Sequence, residues 1–290
     1  MTRLIASLAD IAAQYDALFV DLWGCVHDGI TPFPEAIAAL RGFKRGGGTV
    51  LLLTNSPRPR AGVEQQLASI GVPEDCWHTI ATSGDSARAA MFRGVVGEKV
   101  YFMGEDHDQR FFEPLALVDD PVTITQVPLQ EAEGIVCTGP FDPTADPSVN
   151  RADFLYAKQK RMKLLCANPD IVVDRGARRE WCAGALAQLY AEMGGESLYF
   201  GKPHPPIYDL ARARLAELGP VPANDRILAI GDGIATDIQG AQGEDIDSLF
   251  ITGGLAAAET GTTDQPDPDK LAAFLAQSQV TPTYAIGKLR

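Results

Sequence analysis

Short apolar runs that each close on a polar or glycine-containing turn constrain this chain more than any other feature. They read "LFVDLWG", "TVLLLTN", "KVYFMG", "GIVCTG", "MKLLCANPD", "LYFGKP", "RILAIGD" and "SLFITGG". Between them lie stretches with helical spacing of apolar residues, among them "PEAIAALRGFKRGG", "PRAGVEQQLASIG", "GALAQLYAEMGG" and "PIYDLARARLAELG". Parallel strands need a long crossover, usually a helix, so this alternation predicts an α/β fold with largely parallel sheets. Open sheets of that kind bind ligands outside the carboxyl ends of their strands. Asp21, Thr54 with Asn55, Lys202 and Asp232 all stand at such ends, and the expectation is a single sheet that gathers them on one rim.

The middle of the chain carries strand and helix patterns of its own, with loops rich in Pro and Asp such as "GPFDPTADPSVNR". That is too much sequence for a loop and about right for an inserted domain, which places a core at residues 1–82 and 197–290 and an insertion at 83–196. The segment "ETGTTDQPDPDK" reads as a mobile surface loop.

A net charge of −13 and a pI near 4.7 argue against nucleic acid or an anionic membrane surface as partner, because both attract clustered Lys and Arg. The five cysteines include no CxxC pair, and their odd number argues against a disulfide framework. No stretch approaches the ~20 apolar residues of a membrane helix. The chain is expected to be soluble and cytoplasmic.

Chemistry concentrates in four stretches. Asp21 ends an apolar run, where a carboxylate is costly to bury without a cation or donors, and "GCVHDG" follows it with a glycine able to turn the backbone beneath a ligand. A helix-capping or turn Asp is the alternative. Thr54 and Asn55 in "LLLTNSPRP" offer a hydroxyl, an amide and N–H groups to a phosphate, or serve simple turn chemistry. Lys202 in "LYFGKPHPP" is presented from a proline-stiffened turn as a point charge for an anion. In "ILAIGDGIATDIQGA", Asp232 follows a strand between Gly231 and Gly233, and Asp237 comes five positions later. Hard oxygen donors of this kind suit Mg²⁺, while Thr236 or Asp237 is also placed to cap a helix. Cys25, beside the site, reads as a small strand-end packing residue, with a reactive thiol as the alternative.

In this order the four stretches resemble the haloacid dehalogenase superfamily of aspartate-nucleophile phosphatases. More narrowly the chain resembles the class IIA branch, with its NagD-like and 4-nitrophenyl phosphatase-like members. The four motifs, the size and position of the insertion, and "ANPD" within it carry the resemblance across nearly the whole chain. It implies a Rossmann-like core with a parallel sheet and an inserted α/β cap of the C2 type.

By the same resemblance Asp21 is the nucleophile, Thr54 and Asn55 hold phosphoryl oxygens, and Lys202 neutralises both nucleophile and phosphate. Mg²⁺ is held by the Asp21 and Asp232 carboxylates and the Trp23 carbonyl, supported by Asp237, while the backbone from Gly233 to Thr236 faces the substrate. The cap element around Asn168 and Asp170 lies near the site, and Arg175, Arg178 and Arg179 are near enough in sequence to be candidates to touch the leaving group, the alternative being solvated surface arginines on an acidic protein.

One position departs from the pattern. Most phosphatases of the superfamily carry a second Asp two residues after the nucleophile, and this chain has Trp23, whose indole cannot transfer a proton near neutral pH. His27 and Asp28 are nearby candidates to replace that acid, unless both simply shape the turn. The expected function is a Mg²⁺-dependent phosphatase of a small phosphorylated metabolite. The alternative is a weak or inactive relative that binds a phosphorylated ligand. A homo-oligomer is compatible with either.

Overall fold

The computed structural model describes residues 2–115, 117–175 and 178–290. The chain divides into two compact units, one of Met1–Thr54, Glu64–Ala81 and Tyr208–Arg290, the other of Asn55–Val63 and Thr82–Ile207. Among the described residues no helix is long and apolar enough to cross a membrane.

The first unit is built on seven strands, in the order Arg3–Leu4, Tyr284–Ile286, Asp247–Ile251, Ile227–Gly231, Ala17–Val20, Thr49–Thr54 and Thr79–Thr82. The pairings from the first of these through Thr49–Thr54 are parallel. Ala17–Val20 is buried at every residue, the near-continuous apolar pattern of a parallel strand covered on both faces. Helix Pro34–Arg45 contributes Ala36, Ile37, Leu40 and Phe43, one stripe at helical spacing, and begins with proline where an N–H is not needed.

From Ala17–Val20 the chain builds outward through Thr49–Thr54 to Thr79–Thr82, and later returns on the other flank through Ile227–Gly231. Strand order therefore reverses between Ala17–Val20 and Ile227–Gly231. Such a reversal splays the connections apart and leaves a crevice at the carboxyl ends. Asp21 and Asp232 are the residues just past those two ends.

The second unit has a five-stranded sheet ordered Glu196–Tyr199, Lys163–Cys166, Gly134–Cys137, Lys99–Met103 and Thr125–Gln126, parallel throughout. Its side chains alternate between two cores. Ile135, Cys137, Leu164 and Cys166 pack with Phe154, Leu186 and Tyr190, while Val136 and Leu165 pack with Ala87 and Met91. A hairpin, Val172–Arg175 with Arg178–Trp181, pairs antiparallel. On it Arg179 pairs with Asp174 at 2.7 Å and Arg178 with Glu180 at 3.7 Å; the Arg175 side chain lies outside the described residues.

Two expectations change. The strand Glu196–Tyr199, which delivers Lys202, pairs with Lys163–Cys166 and so belongs to the smaller sheet, with Tyr199 opposite Cys166. Lys202 therefore does not share a sheet with Asp21, Thr54 and Asp232, and a boundary at 196/197 would cut through this strand. The segment "ETGTTDQPDPDK" is hydrogen-bonded into the fold instead of loose. Thr260 is fully buried and donates to the Ala256 carbonyl, Thr262 donates to Thr252, and Gln265 bridges the Ile5 carbonyl and the Gly287 N–H.

The segment ends by starting a helix. The Asp267 carboxylate accepts the N–H groups of Asp269 and Lys270, both at 3.0 Å, and caps Pro268–Ser278, whose Leu271 is buried. Asp267→Ala is expected to cost about 1 kcal/mol, read as a lower urea midpoint at unchanged slope.

Candidate active site

Asp21 stands one residue past its strand, and its N–H donates to the Ile230 carbonyl at 2.8 Å, which fastens it beside the neighbouring strand. The chain then turns back hard. The Leu22 carbonyl accepts from Cys25, Val26 and His27 at 3.4, 2.8 and 3.2 Å, and the Gly24 N–H donates to the His27 carbonyl at 2.9 Å. Gly24 has φ +71°, and any side chain there would run into the Asp232 carboxylate. Only glycine satisfies both conditions. Gly254 also lacks the side chain that would collide with Asp232, and the next N–H, from Leu255, donates to Asp232 Oδ2 at 3.0 Å.

This turn brings three donors together. One oxygen each from Asp21 and Asp232 and the Cys25 Sγ all lie within 4.8 Å of one another. Cys25 and Asp232 are buried, and Asp21 is partly exposed. The two carboxylates are a donor set for a hard divalent cation such as Mg²⁺, and the thiol is a donor for softer ions. Cys25, expected from the sequence to be a packing residue, is buried and also lies beside the two carboxylates.

Asp237 has a different place. It is buried on a π-helical turn, Ile234–Ile238, and does not join the group of Asp21, Cys25 and Asp232. Its Oδ2 accepts the Gly233 N–H at 3.0 Å while its own N–H donates to the Gly233 carbonyl at 2.8 Å. A side chain at Gly231 would strike the Asp237 carboxyl, and one at Gly233 would strike the Thr236 hydroxyl. Asp237 and Thr236 thus brace the loop that follows Asp232. Thr54 is the buried last residue of its strand, next to the strand of Asp21.

Asn55 and Lys202 belong to the second unit. The Asn55 amide nitrogen donates to Asp170 Oδ1 at 2.8 Å and to the Lys202 carbonyl at 3.1 Å, and its oxygen accepts the Lys202 N–H at 2.7 Å. Both amide hydrogens are therefore used, so the side chain expected to hold a phosphate instead clamps the backbone of Lys202. Gly201 has no room for a side chain against Asn55 and Pro169. Asn168 turns "ANPD" so that Asp170 meets Asn55, its Oδ1 accepting the Asp170 N–H at 3.1 Å.

Residues 18–117 match the family model of haloacid dehalogenase-like hydrolases, and residues 199–278 match a second, HAD-hydrolase-like model. No curated protein sequence matches the chain. Among solved structures, a hydrolase of the haloacid dehalogenase-like family from Brucella suis 1330 aligns at 36% identity and TM-score 0.86, over 99% of this chain and 100% of that one. The chain belongs to the haloacid dehalogenase-like hydrolase family. A possible sugar phosphatase from Cytophaga hutchinsonii ATCC 33406 shares the fold at 17% identity and TM-score 0.77, covering 99% of this chain and 98% of its own. So does a p-nitrophenyl phosphatase from Archaeoglobus fulgidus, at 19% identity, TM-score 0.70 and coverages of 95% and 97%.

In this haloacid dehalogenase-like hydrolase the Trp23 indole is a wall of the turn. Its ring meets the His27 ring edge-on, centroids 5.3 Å apart, and occupies the space where a side chain at Gly29 would lie. Neither proposed replacement for the missing acid is free for the task. His27 is buried, its Nδ1 accepts the Gly29 N–H at 2.9 Å, and burial pushes its pKa down to about 4. Asp28 accepts the N–H groups of Ile30 and Thr31 at 2.9 and 2.7 Å and the Thr31 hydroxyl at 3.0 Å, and the Thr31 N–H leads in holding its carboxyl below the ordinary range. Both residues shape the turn.

The Asn55 clamp is open to a direct test. Asn55→Leu removes the bonds to Asp170 and Lys202 and is expected to cost about 2–4 kcal/mol in urea unfolding. Asn55→Asp keeps an acceptor for the Lys202 N–H but sets a second carboxyl against Asp170. The introduced group then has a raised folded pKa, so the variant is expected to be least stable at neutral pH and to regain stability as pH falls through that pKa.

Proposed function

We propose that this hydrolase is a Mg²⁺-dependent phosphatase of the class IIA branch that acts on a small phosphorylated metabolite through an aspartyl-phosphate. The observation that carries the reading is the meeting of the Asp21 and Asp232 oxygens at the carboxyl rim of the larger sheet. Two hard donors there fit an ion that takes one or two carboxylates plus water and phosphate oxygens, and the spaces left by Gly24 and Gly254 seat the Asp232 carboxylate. Asp21 and Asp232 would hold the ion with the Trp23 carbonyl, and Asp237 would support the loop behind Asp232. When bound, Mg²⁺ supplies charge neutralisation to the transferring phosphoryl group.

Asp21 attacks phosphorus and the ester oxygen leaves, after which water attacks the phosphoaspartate and releases phosphate. Thr54 and the backbone from Gly233 to Thr236 donate to phosphoryl oxygens, and Lys202, held by Asn55, neutralises the phosphate. In this reading the smaller unit is the C2-type cap and carries leaving-group recognition. The names of the solved "possible sugar phosphatase" and p-nitrophenyl phosphatase support a phosphate monoester as substrate. Five buried cysteines outside any disulfide accord with a reducing, cytoplasmic setting.

Trp23 shapes the choice of substrate. Without a proton donor, esters whose leaving group departs as a stable anion are favoured over alkyl phosphates by about 10²- to 10⁴-fold, the usual worth of general-acid catalysis. A second reading, a weakly active binder of phosphorylated ligands, draws on the same observation that Trp23, His27 and Asp28 all serve the turn.

The test is purified protein with p-nitrophenyl phosphate and a panel of sugar, nucleotide and pyridoxal phosphates, with Mg²⁺ or with a chelator, beside Asp21→Asn. Turnover is expected with Mg²⁺ only, fastest on p-nitrophenyl phosphate, and absent in Asp21→Asn. No metal-dependent turnover on any ester, or turnover that survives Asp21→Asn, overturns the phosphatase. Saturable ligand binding without turnover establishes the second reading.

A further inference from the structure

We propose that Asp21, Cys25 and Asp232 form an inhibitory site for thiophilic divalent cations, Zn²⁺ above all, on the ground where the Mg²⁺ of the proposed reaction binds. The inhibitory consequence rests on the phosphatase reading; the binding itself rests only on the three side chains.

Their donor atoms lie within 4.8 Å of one another, so an ion at the centre of that triangle sits at most about 2.8 Å from each. Ordinary Zn–S and Zn–O bonds are about 2.0–2.3 Å, and the difference is one that small side-chain rotations close. Among the described residues no other set of three His, Cys, Asp or Glu donors comes this close.

The ligands are pre-organised from different directions. Cys25 is held by the turn that the Leu22 carbonyl gathers, and Asp232 by the Leu255 N–H and the space beside Gly24 and Gly254.

Mg²⁺ gains nothing from the sulfur, since it selects oxygen ligands, whereas a thiolate favours Zn²⁺ strongly. As the Zn–S bond forms, the Cys25 thiol gives its proton to solvent, and a water completes the tetrahedron. The nucleophile Asp21 is then tied to an ion that the sulfur holds in place. A chain with an oxygen or carbon side chain at position 25 would lack this sensitivity.

Co²⁺ is the probe, because it takes zinc's tetrahedral sites and reports thiolate ligation through a near-ultraviolet charge-transfer band. It is added to the full chain without substrate or Mg²⁺. The expected result is a band that one equivalent of Zn²⁺ abolishes and that is missing in Cys25→Ser and in Cys25→Ala, the second variant guarding against a misfolded first. By calorimetry, Cys25→Ser is expected to weaken Zn²⁺ binding at least about ten-fold more than Mg²⁺ binding, the smallest loss usual when a metal's surroundings are disturbed. No band in the native protein, a band that persists without Cys25, or equal weakening for both ions overturns the proposal. Mg²⁺-dependent turnover without the band removes the zinc site alone; the band without turnover on any ester removes the phosphatase alone.

Discussion

Two carboxylates side by side at the mouth of a parallel sheet are the constraint on which the rest of this molecule depends. With oxygens of Asp21 and Asp232 less than 4.8 Å apart, their repulsion is on the order of 3 kcal/mol at an effective dielectric of about 20. In the proposed function a divalent cation offsets that repulsion. Strand order sets the pair there, because the reversal between Ala17–Val20 and Ile227–Gly231 puts both strand ends at one crevice. The glycines follow as a consequence. Gly24 and Gly254 are the positions where a side chain would displace the Asp232 carboxylate, and Gly231 is where one would displace Asp237.

Much of this is legible in the amino-acid sequence. Apolar runs ending in Asp, Thr-Asn or Gly-Asp mark parallel strands and their functional rim directly, since burial on both faces and ligand binding at carboxyl ends are local consequences of strand direction. What a run does not encode is its sheet. Glu196–Tyr199 has the same pattern as its counterparts in the larger sheet, yet it pairs with Lys163–Cys166. The side-chain commitments were likewise hidden. Asn55 looks like a phosphate donor until three hydrogen bonds to Asp170 and Lys202 account for its amide. "ETGTTDQPDPDK" looks loose because its polar residues find partners outside the segment, at Ile5, Thr252 and Gly287.

Lys202 illustrates how such commitments fix a residue in place. A lysine on a flexible stem is a poor point of reference unless its backbone is fixed. Here the carbonyl and the N–H of the same residue are both held by one carboxamide, itself anchored to Asp170 in the "ANPD" turn. Asn55 follows Thr54 directly in sequence, so a single dipeptide ends a strand of one unit and organises the lysine of the other. Adjacent residues that do separate jobs in separate units look alike in sequence, and only their hydrogen bonds tell them apart.

The turn after Asp21 compresses three decisions into a few residues. Gly24 admits the second carboxylate, Cys25 folds back as a soft donor beside two hard ones, and Trp23 fills the space over Gly29 that keeps His27 buried. In the proposed reading a proton donor at position 23 would have to point toward the ester, whereas the indole packs against His27 and over Gly29. The same tightness that brings Cys25 near the carboxylates therefore accounts for the missing acid. In the proposed phosphatase the driving force comes from charge neutralisation and from the leaving group itself, because Trp23, His27 and Asp28 are committed to the packing and hydrogen bonds of the turn.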